Sequence, residues 1–167
     1  MVESNQKKIT KFLNSDRITY KGLEKENLRS DTEGKISNKS FPKAFGVHNF
    51  NMYVTLDYSE PHLEIVTPPF KENIDAYNFL CDLHKYVENH IDGDLLWNYS
   101  MPPKFKRKYI KLPPHRESNI TKLAHLYRLG LRNRYGDKMQ STAGIHFNFS
   151  FSDSVIKALG NNKTEIY

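Results

Sequence analysis

Glu24 and Glu26 stand two residues apart in Leu23-Glu24-Lys25-Glu26. In an extended segment side chains alternate faces, so both carboxylates point the same way. The same alternation divides Gly144-Ile145-His146-Phe147-Asn148-Phe149-Ser150 into two sides. Ile145, Phe147 and Phe149, continued by Phe151, make one apolar face, and His146, Asn148 and Ser150 make the other. A third run, His62-Leu63-Glu64-Ile65-Val66-Thr67-Pro68, carries Glu64, and Asp57 closes a neighbouring strand pattern. A sheet that buries aromatics behind and presents carboxylates, an imidazole and an amide in front can hold divalent cations and a phosphate-bearing ligand. Carboxylates this close repel one another, and a metal is the ordinary way to keep them all ionised in one place. Magnesium suits such a set, because it takes a few carboxylate oxygens together with water and substrate phosphate. His146 could add a nitrogen ligand.

Spacing alone also fits a plainer arrangement. Acid pairs two residues apart are common on the solvent side of amphipathic strands, and without further context that reading is the better one. Arg128, in Tyr127-Arg128, could grip a carboxylate or phosphate with two parallel hydrogen bonds. With Arg132 and Arg134 on the same helix, a surface arginine is the better reading without further context. His48, His62, His84 and His90 have no metal-ligand spacing and read as ordinary histidines. The chain has no glycine-rich phosphate loop and no serine or cysteine nucleophile signature.

These residues need rigid elements to carry them. A strand is predicted around Gly22–Arg29, and Asp31-Thr32-Glu33-Gly34-Lys35 is turn chemistry that closes a hairpin onto Ile36. Phe41–Phe50 reads as loop, with Pro42 and Gly46 as breakers. Met52–Asp57 and His62–Thr67 are strand patterns joined by Tyr58-Ser59-Glu60-Pro61, so antiparallel pairing is expected. Ala76, Leu80, Leu83 and Val87 make a helical stripe within Asn73–Ile91, which Asp92-Gly93 ends. Trp97–Pro103 reads as irregular, and Lys104–Arg116 as a basic, proline-bearing loop. Ser118 can cap a second helix, Ile120–Tyr135, with Ile120, Leu123, Tyr127, Leu131 and Tyr135 along one side and Gly136 as its stop. A strand over Ser141–Phe151 and a weak helix over Ser154–Leu159 follow, and one marginal helix is expected before Tyr20. Strands, helix, helix, strand is the order of an α+β domain rather than a doubly wound parallel sheet.

Composition bounds the rest. The 167 residues suffice for one domain, and 38% hydrophobic content with 13% aromatics excludes a disordered chain. A mean hydropathy of −0.70 describes a very polar surface. No apolar stretch approaches membrane-spanning length, so the expected setting is soluble and cytoplasmic with no membrane partner. Cys81 is the single cysteine, in keeping with a reducing compartment. The net charge of +6 owes much to Lys104-Phe105-Lys106-Arg107-Lys108 and the lysines of the first eleven residues. No nucleic-acid-binding motif surrounds that run, so a solvated loop is expected and nucleic acid is not.

Taken together, the segments resemble a known family. Gly22-Leu23-Glu24-Lys25-Glu26-Asn27-Leu28-Arg29, Thr55-Leu56-Asp57-Tyr58-Ser59-Glu60, Leu63-Glu64-Ile65-Val66-Thr67-Pro68, Leu83-His84-Lys85-Tyr86, Leu96-Trp97-Asn98-Tyr99-Ser100-Met101-Pro102, Leu126–Gly136 and Met139–Ser150 resemble, in that order, the N-terminal part of the proteobacterial type of glutamate–cysteine ligase. The resemblance implies a curved, mainly antiparallel sheet with helices packed on one side, related to that of glutamine synthetase. It implies an ATP- and Mg²⁺-dependent joining of the side-chain carboxyl of L-glutamate to L-cysteine, the first step of glutathione synthesis. By resemblance Glu24, Glu26, Asp57, Glu64 and His146 are metal ligands, which reverses the balance that spacing alone gives. Tyr127 and Arg128 would contact substrate or the transferring phosphoryl group, Arg128 as the catalytic cation, with Gln140 and Asn148 in the substrate pocket. The chain departs from the family pattern at Leu112-Pro113-Pro114-His115-Arg116-Glu117 and at Ile120-Thr121-Lys122-Leu123. Family members are also several-fold longer, which implies that a complementary C-terminal polypeptide holds further strands and ligands, or that the chain is a non-catalytic remnant.

Overall fold

The computed structural model describes residues 6, 7, 10, 11, 19–48, 50–103, 110–115 and 118–159. Gln6, Lys7, Thr10 and Lys11 are helical; the rest of the expected first helix and the basic run Lys104–Lys108 lie outside the described residues. One strand organises the molecule. β1 (Thr19–Ser30) runs for 12 residues, three further toward the N-terminus and one further toward the C-terminus than its sequence pattern suggested. β2 (Val54–Leu56) pairs with β3 (His62–Val66), and β3 pairs with β1. On the opposite edge β1 meets β4 (Leu95–Trp97) near its end and β5 (Ile145–Phe151) along its first half. All of these pairings are antiparallel, so the architecture is the α+β antiparallel sheet that the element order predicted.

β4 was not expected: it begins two residues before the segment read as irregular and takes in its first residue, Trp97. Three residues suffice because Leu96 reaches the core from the face opposite Trp97. β5 starts at Ile145 rather than Ser141, because Met139–Ser141 close into a short 3-10 turn. The Ser141 hydroxyl donates to the Asp137 carbonyl at 2.7 Å, and Ala143 N–H bonds the Ser100 carbonyl at 2.9 Å. Together these bonds aim the chain at β1 just before pairing begins.

α1 (Asn73–Glu88) packs on the apolar face of the sheet, where Val87 joins Val54, Leu56, Leu63, Ile65, Ile91, Leu96 and Phe45, with Leu80 and Leu83 against them. It ends three residues before the expected Ile91; Asp92 and Gly93 then take positive φ and turn the chain toward β4. α2 (Asn119–Tyr135) begins at the predicted cap, the Ser118 hydroxyl accepting from Thr121 N–H. It stands at the end of β2 rather than across the sheet: Arg132 bonds Asp137 and the Ile110 carbonyl, while Tyr58 donates to Asp137 at 2.6 Å. Burial and that bond push the Tyr58 phenol up to about 12. α3 (Asp153–Leu159) follows β5.

Two expectations of burial are corrected. Ile145, Phe147, Phe149 and Phe151 are between 39% and 66% exposed, so β5 is wet on both faces. Ile120, Leu123, Tyr127 and Tyr135 of α2 are exposed in the same way. The periodic patterns are real, but among the described residues α1 covers only the β1–β3 half of the apolar face.

The largest fully buried side chain among the described residues is that of Arg29. Its guanidinium, wholly out of water, bonds Asp94 Oδ2 at 3.0 Å and the carbonyls of Lys39, Ser40 and Glu60 at 2.8–3.0 Å. Lys39 adds a half-exposed contact to Asp94 at 2.8 Å. Removing one member of a buried pair strands the other, so Asp94→Ala is expected to cost about 3–5 kcal/mol. Lys39→Ala, at the solvent edge, is expected to cost about 1 kcal/mol or less. Urea unfolding of the two variants checks the contrast, and equal losses would rule it out.

Candidate metal centre

Register decides which groups meet. Residues paired across antiparallel strands share a face, and Glu26 pairs with Glu64, Glu24 with His146, and Gly22 with Asn148. Glu24, Glu26, Glu64, His146 and Asn148 therefore share the sheet face opposite Leu63 and Ile65, which α1 covers. His62 belongs to the same face, two residues before Glu64 and opposite Leu28. Asp57 follows β2 directly and projects to the same place, its Oδ2 lying 3.3 Å from His62 Nδ1.

The carboxylates are held by named donors. Gly144 N–H donates to Glu26 Oε2 at 2.8 Å, and Glu26 N–H in turn bonds the Gly144 carbonyl at 3.0 Å. A Cβ on Gly144 would come within 3.3 Å of His146 Nε2 and 3.8 Å of Glu26 Oε2, so any larger residue here would press the His146 ring aside by a few tenths of an ångström. Asn148 donates to Glu24 Oε1 at 2.9 Å, and His146 Nδ1 lies 3.1 Å from Glu24 Oε2. That contact, followed by the charge of Glu26, raises the His146 imidazole above its ordinary pKa. Burial first, then the charges of Asp57, Glu24 and Glu26, raises the Glu64 carboxyl, with His146 pulling it down. Each shift reports one electronegative patch. An open hollow of about 370 Å³, lined by Glu26, Asp57, Gln140, Thr142, Gly144 and His146 among others, adjoins it.

The five expected metal ligands are thus brought together, and hard oxygen donors in this number fit Mg²⁺. Gln140 borders the hollow, half-buried, and Asn148 holds Glu24. Arg128 is engaged differently from a free substrate clamp: Nε and Nη2 donate to the Asp57 carbonyl at 3.1 and 2.9 Å, and Nη2 also reaches the Leu56 carbonyl at 3.3 Å. It anchors the strand end that carries Asp57. Tyr127 is exposed on α2 and is not among the residues lining the hollow.

Sequence reasoning missed His62. The ring is completely buried, with Nε2 3.9 Å from Glu26 Oε2. Glu26, Asp57 and His62 each offer one donor atom within 4.8 Å of the others. The signal available beforehand was its alternation with Glu64, which puts both on one face; treating it by histidine spacing hid that.

A raised carboxyl pKa means that the ionised form costs stability: the contribution is present below the ordinary carboxylate pKa and is lost as pH rises through the raised value. Glu64→Gln is therefore expected to stabilise the metal-free chain at pH 7, by up to about 1 kcal/mol after solvent screening. The gain should vanish below about pH 4, where the native side chain is itself protonated. Melting curves at both pH values check this, and a gain of the same size at both would remove the electrostatic explanation.

Comparison with known proteins gives a consistent answer. The family model described as Glutamate-cysteine ligase matches residues 4–166. The glutamate–cysteine ligase of Alcanivorax borkumensis is 39% identical over 158 residues, which is 91% of this chain and 30% of that protein. The crystal structure of a glutamate–cysteine ligase from Francisella tularensis in complex with AMP superposes with a TM-score of 0.81 at 32% identity, over 87% of this chain and 30% of that one. A bifunctional glutathione synthetase from Pasteurella multocida superposes with a TM-score of 0.79 at 27% identity, over 93% and 20% of the two chains. The chain spans about 30% of the length of the curated relatives it matches.

Proposed function

Because the chain belongs to the glutamate–cysteine ligase family, we infer that its acidic sheet face is the magnesium–nucleotide half of a site joining L-glutamate to L-cysteine. The observation that carries this is the register: Glu24, Glu26, Glu64 and His146 share one face of the sheet, beside Asp57. A side-chain carboxylate is a poor acyl donor. In the proposed reaction a glutamate γ-carboxylate oxygen attacks the terminal phosphorus of ATP and ADP leaves. The cysteine amine then attacks the acyl carbon, phosphate leaves, and the nitrogen loses a proton. Glu24, Glu26, Asp57, Glu64 and His146 would hold Mg²⁺, which when bound offsets phosphate charge and aligns the transferring group. Gly144 N–H, Asn148 and His146 keep Glu26 and Glu24 aimed at it. Arg128 steadies Asp57 through its carbonyl, and Gln140 and Asn148 are the proposed substrate contacts, while the exposed Tyr127 lies outside the lining of the hollow. The cytoplasm, where ATP and both amino acids are available, is the proposed setting. No helix among the described residues is long and apolar enough to cross a membrane.

Magnesium with ATP is expected to raise the melting temperature, and Glu26→Ala to abolish the rise. At a hundred times the dissociation constant the stabilisation is about 2.7 kcal/mol, or roughly 5–10 °C for a chain of this size. A folded wild-type chain that gains nothing from the pair would sink the nucleotide reading. A coupled assay for ADP release dependent on both glutamate and cysteine then tests the ligation itself.

A second reading concerns completion of the sheet. The apolar side of β5 is open to solvent, and the outer edge of β5 has no strand partner among the described residues. We infer that a polypeptide bearing further strands, in the same or a separate chain, covers this surface. Phe147→Lys with Phe149→Lys is expected to abolish the binding of a hydrophobic dye to the chain and its capture by the remaining portion of a family member. Capture unaffected by the double substitution would remove this reading.

A further inference from the structure

The hollow beside the acidic face has walls from two different parts of the chain. Glu26 and Asp57 stand on one, and Gln140 and Thr142 stand on the other. The second wall belongs to the stretch from Asp137 to Gly144, which is tied to the sheet at both ends. At Gly144 the tie runs to Glu26, from N–H to Oε2 at 2.8 Å. At Asp137 it runs to Tyr58, the residue after Asp57, whose hydroxyl donates to Asp137 Oδ1 at 2.6 Å. Arg132 Nε donates to the same oxygen at 2.8 Å, while Arg132 Nη2 holds the Ile110 carbonyl at 3.0 Å. Tyr58 and Asp137 are each 2% exposed, and the phenol packs with Ile110 and Leu112 against Leu129 and Leu131. Hydrogen bonds to a charged group, shielded from water in this way, are short and strong. The wholly buried Ser141 hydroxyl closes the turn on the Asp137 carbonyl at 2.7 Å, with Gln140 just before it. Gln140 is thereby fixed relative to Asp57.

We propose that Asp137 is the positioning residue that holds Gln140 at its distance from the acidic face, and so sets the length of amino acid the site accepts. An amino dicarboxylate lying across the hollow puts its reacting carboxylate at the cation face. Its α-amino and α-carboxyl groups then reach toward Gln140, whose amide offers both donors and an acceptor. With both walls fixed, the span between them measures the carbon chain. L-Aspartate, one methylene shorter, leaves one end unmet, and L-2-aminoadipate, one methylene longer, must buckle. A single methylene in a shaped pocket is worth about 10- to 200-fold in discrimination. Neither Tyr58 nor Asp137 lines the hollow, so both act through Asp57 and Gln140 rather than on substrate. This role rests on the proposed ligation site; it adds which buried group selects the substrate there.

The test is calorimetric titration of the full chain with L-aspartate, L-glutamate and L-2-aminoadipate, in the presence of magnesium and a non-hydrolysable ATP analogue. Wild type should favour L-glutamate over both others by at least about 10-fold. Tyr58→Phe removes one hydroxyl and should narrow that preference, chiefly by weakening L-glutamate, with nucleotide affinity unchanged. Asp137→Asn, which still accepts from both donors but without charge, should fall between the two. Val87→Ala, in the core beneath α1, should lower the melting temperature and leave the preference intact, which separates positioning from simple loss of stability. Should Tyr58→Phe fail to fold, Arg132→Lys, which loosens Asp137 from its other side, carries the same expectation. An unchanged preference in the folded variant, or a wild type that does not distinguish the three amino acids, overturns the role of Asp137. Uptake of the nucleotide with none of the three also overturns it, and leaves the magnesium–nucleotide reading standing. Failure to bind the nucleotide at all overturns both together.

Discussion

The guanidinium of Arg29 is the anchor on which the sheet depends. A charge with no exposed surface must find its partners within the protein, and here Asp94 and three loop carbonyls take the two terminal nitrogens, while Nε has no hydrogen-bond partner among the described residues. Those partners lie before β2, before β3 and just before β4, so one side chain at the end of β1 ties three connections to the central strand. The pairing of β1 is set by the same knot, since sliding the strand would pull the guanidinium away from all of them. A shift of one residue would also turn Glu24 and Glu26 to the apolar face against α1. The precision of the acidic face therefore begins some distance from it.

The acidic face holds the opposite kind of electrostatics. Around Arg29 the buried charges are paired, Arg29 with Asp94, and Lys39 reaches Asp94 from the solvent edge. Around Glu26 four carboxylates face one another with only two imidazoles near, and burial together with these charges makes Glu64 resist ionisation. Folding tolerates this strain because β1, β3 and β5 are joined by backbone hydrogen bonds whose geometry ignores side-chain charge. Positive charge from a ligand relieves the same strain, which makes the patch a place where cation binding and stability are coupled. A patch balanced as well as Arg29 would be more stable and would have little to offer a metal.

Apolar surface is distributed as unevenly as charge. The β2–β3–β1 part of the sheet is sealed by α1, while β5 presents an aromatic row to solvent next to the strand that carries Glu24 and Glu26. Relatives have about three times as much chain as the part matched here, and the uncovered aromatic row is where further sheet would find both a strand edge and an apolar face. The polar row of His146 and Asn148 and the exposed aromatic row thus occupy the two sides of one strand.

The local patterns were legible directly. Period-two alternation placed Glu24 with Glu26 and His146 with Asn148, the 3.6-residue stripe found α1, and Ser118 marked the start of α2, because each is a property of neighbours along the chain. Motif order over nearly the whole length pointed to the family. Burial was not legible: the alternation in β5 named an apolar side correctly, but whether anything covers it depends on elements elsewhere. Nor were β4, which pairs with the distant β1, or the 3-10 turn at Met139–Ser141, whose own bonds are local but whose exit is held by Ala143 N–H on the Ser100 carbonyl. Arg128 shows the same limit, for its guanidinium grips carbonyls 71 and 72 residues away. The amino-acid order by itself determined which side chains could share a face, since strand and helix periods are fixed by backbone geometry. Only the tertiary structure decided that His62 points between Asp57 and Glu26, because that direction depends on how β3 registers against β1, and register is set by contacts far from either residue in the chain.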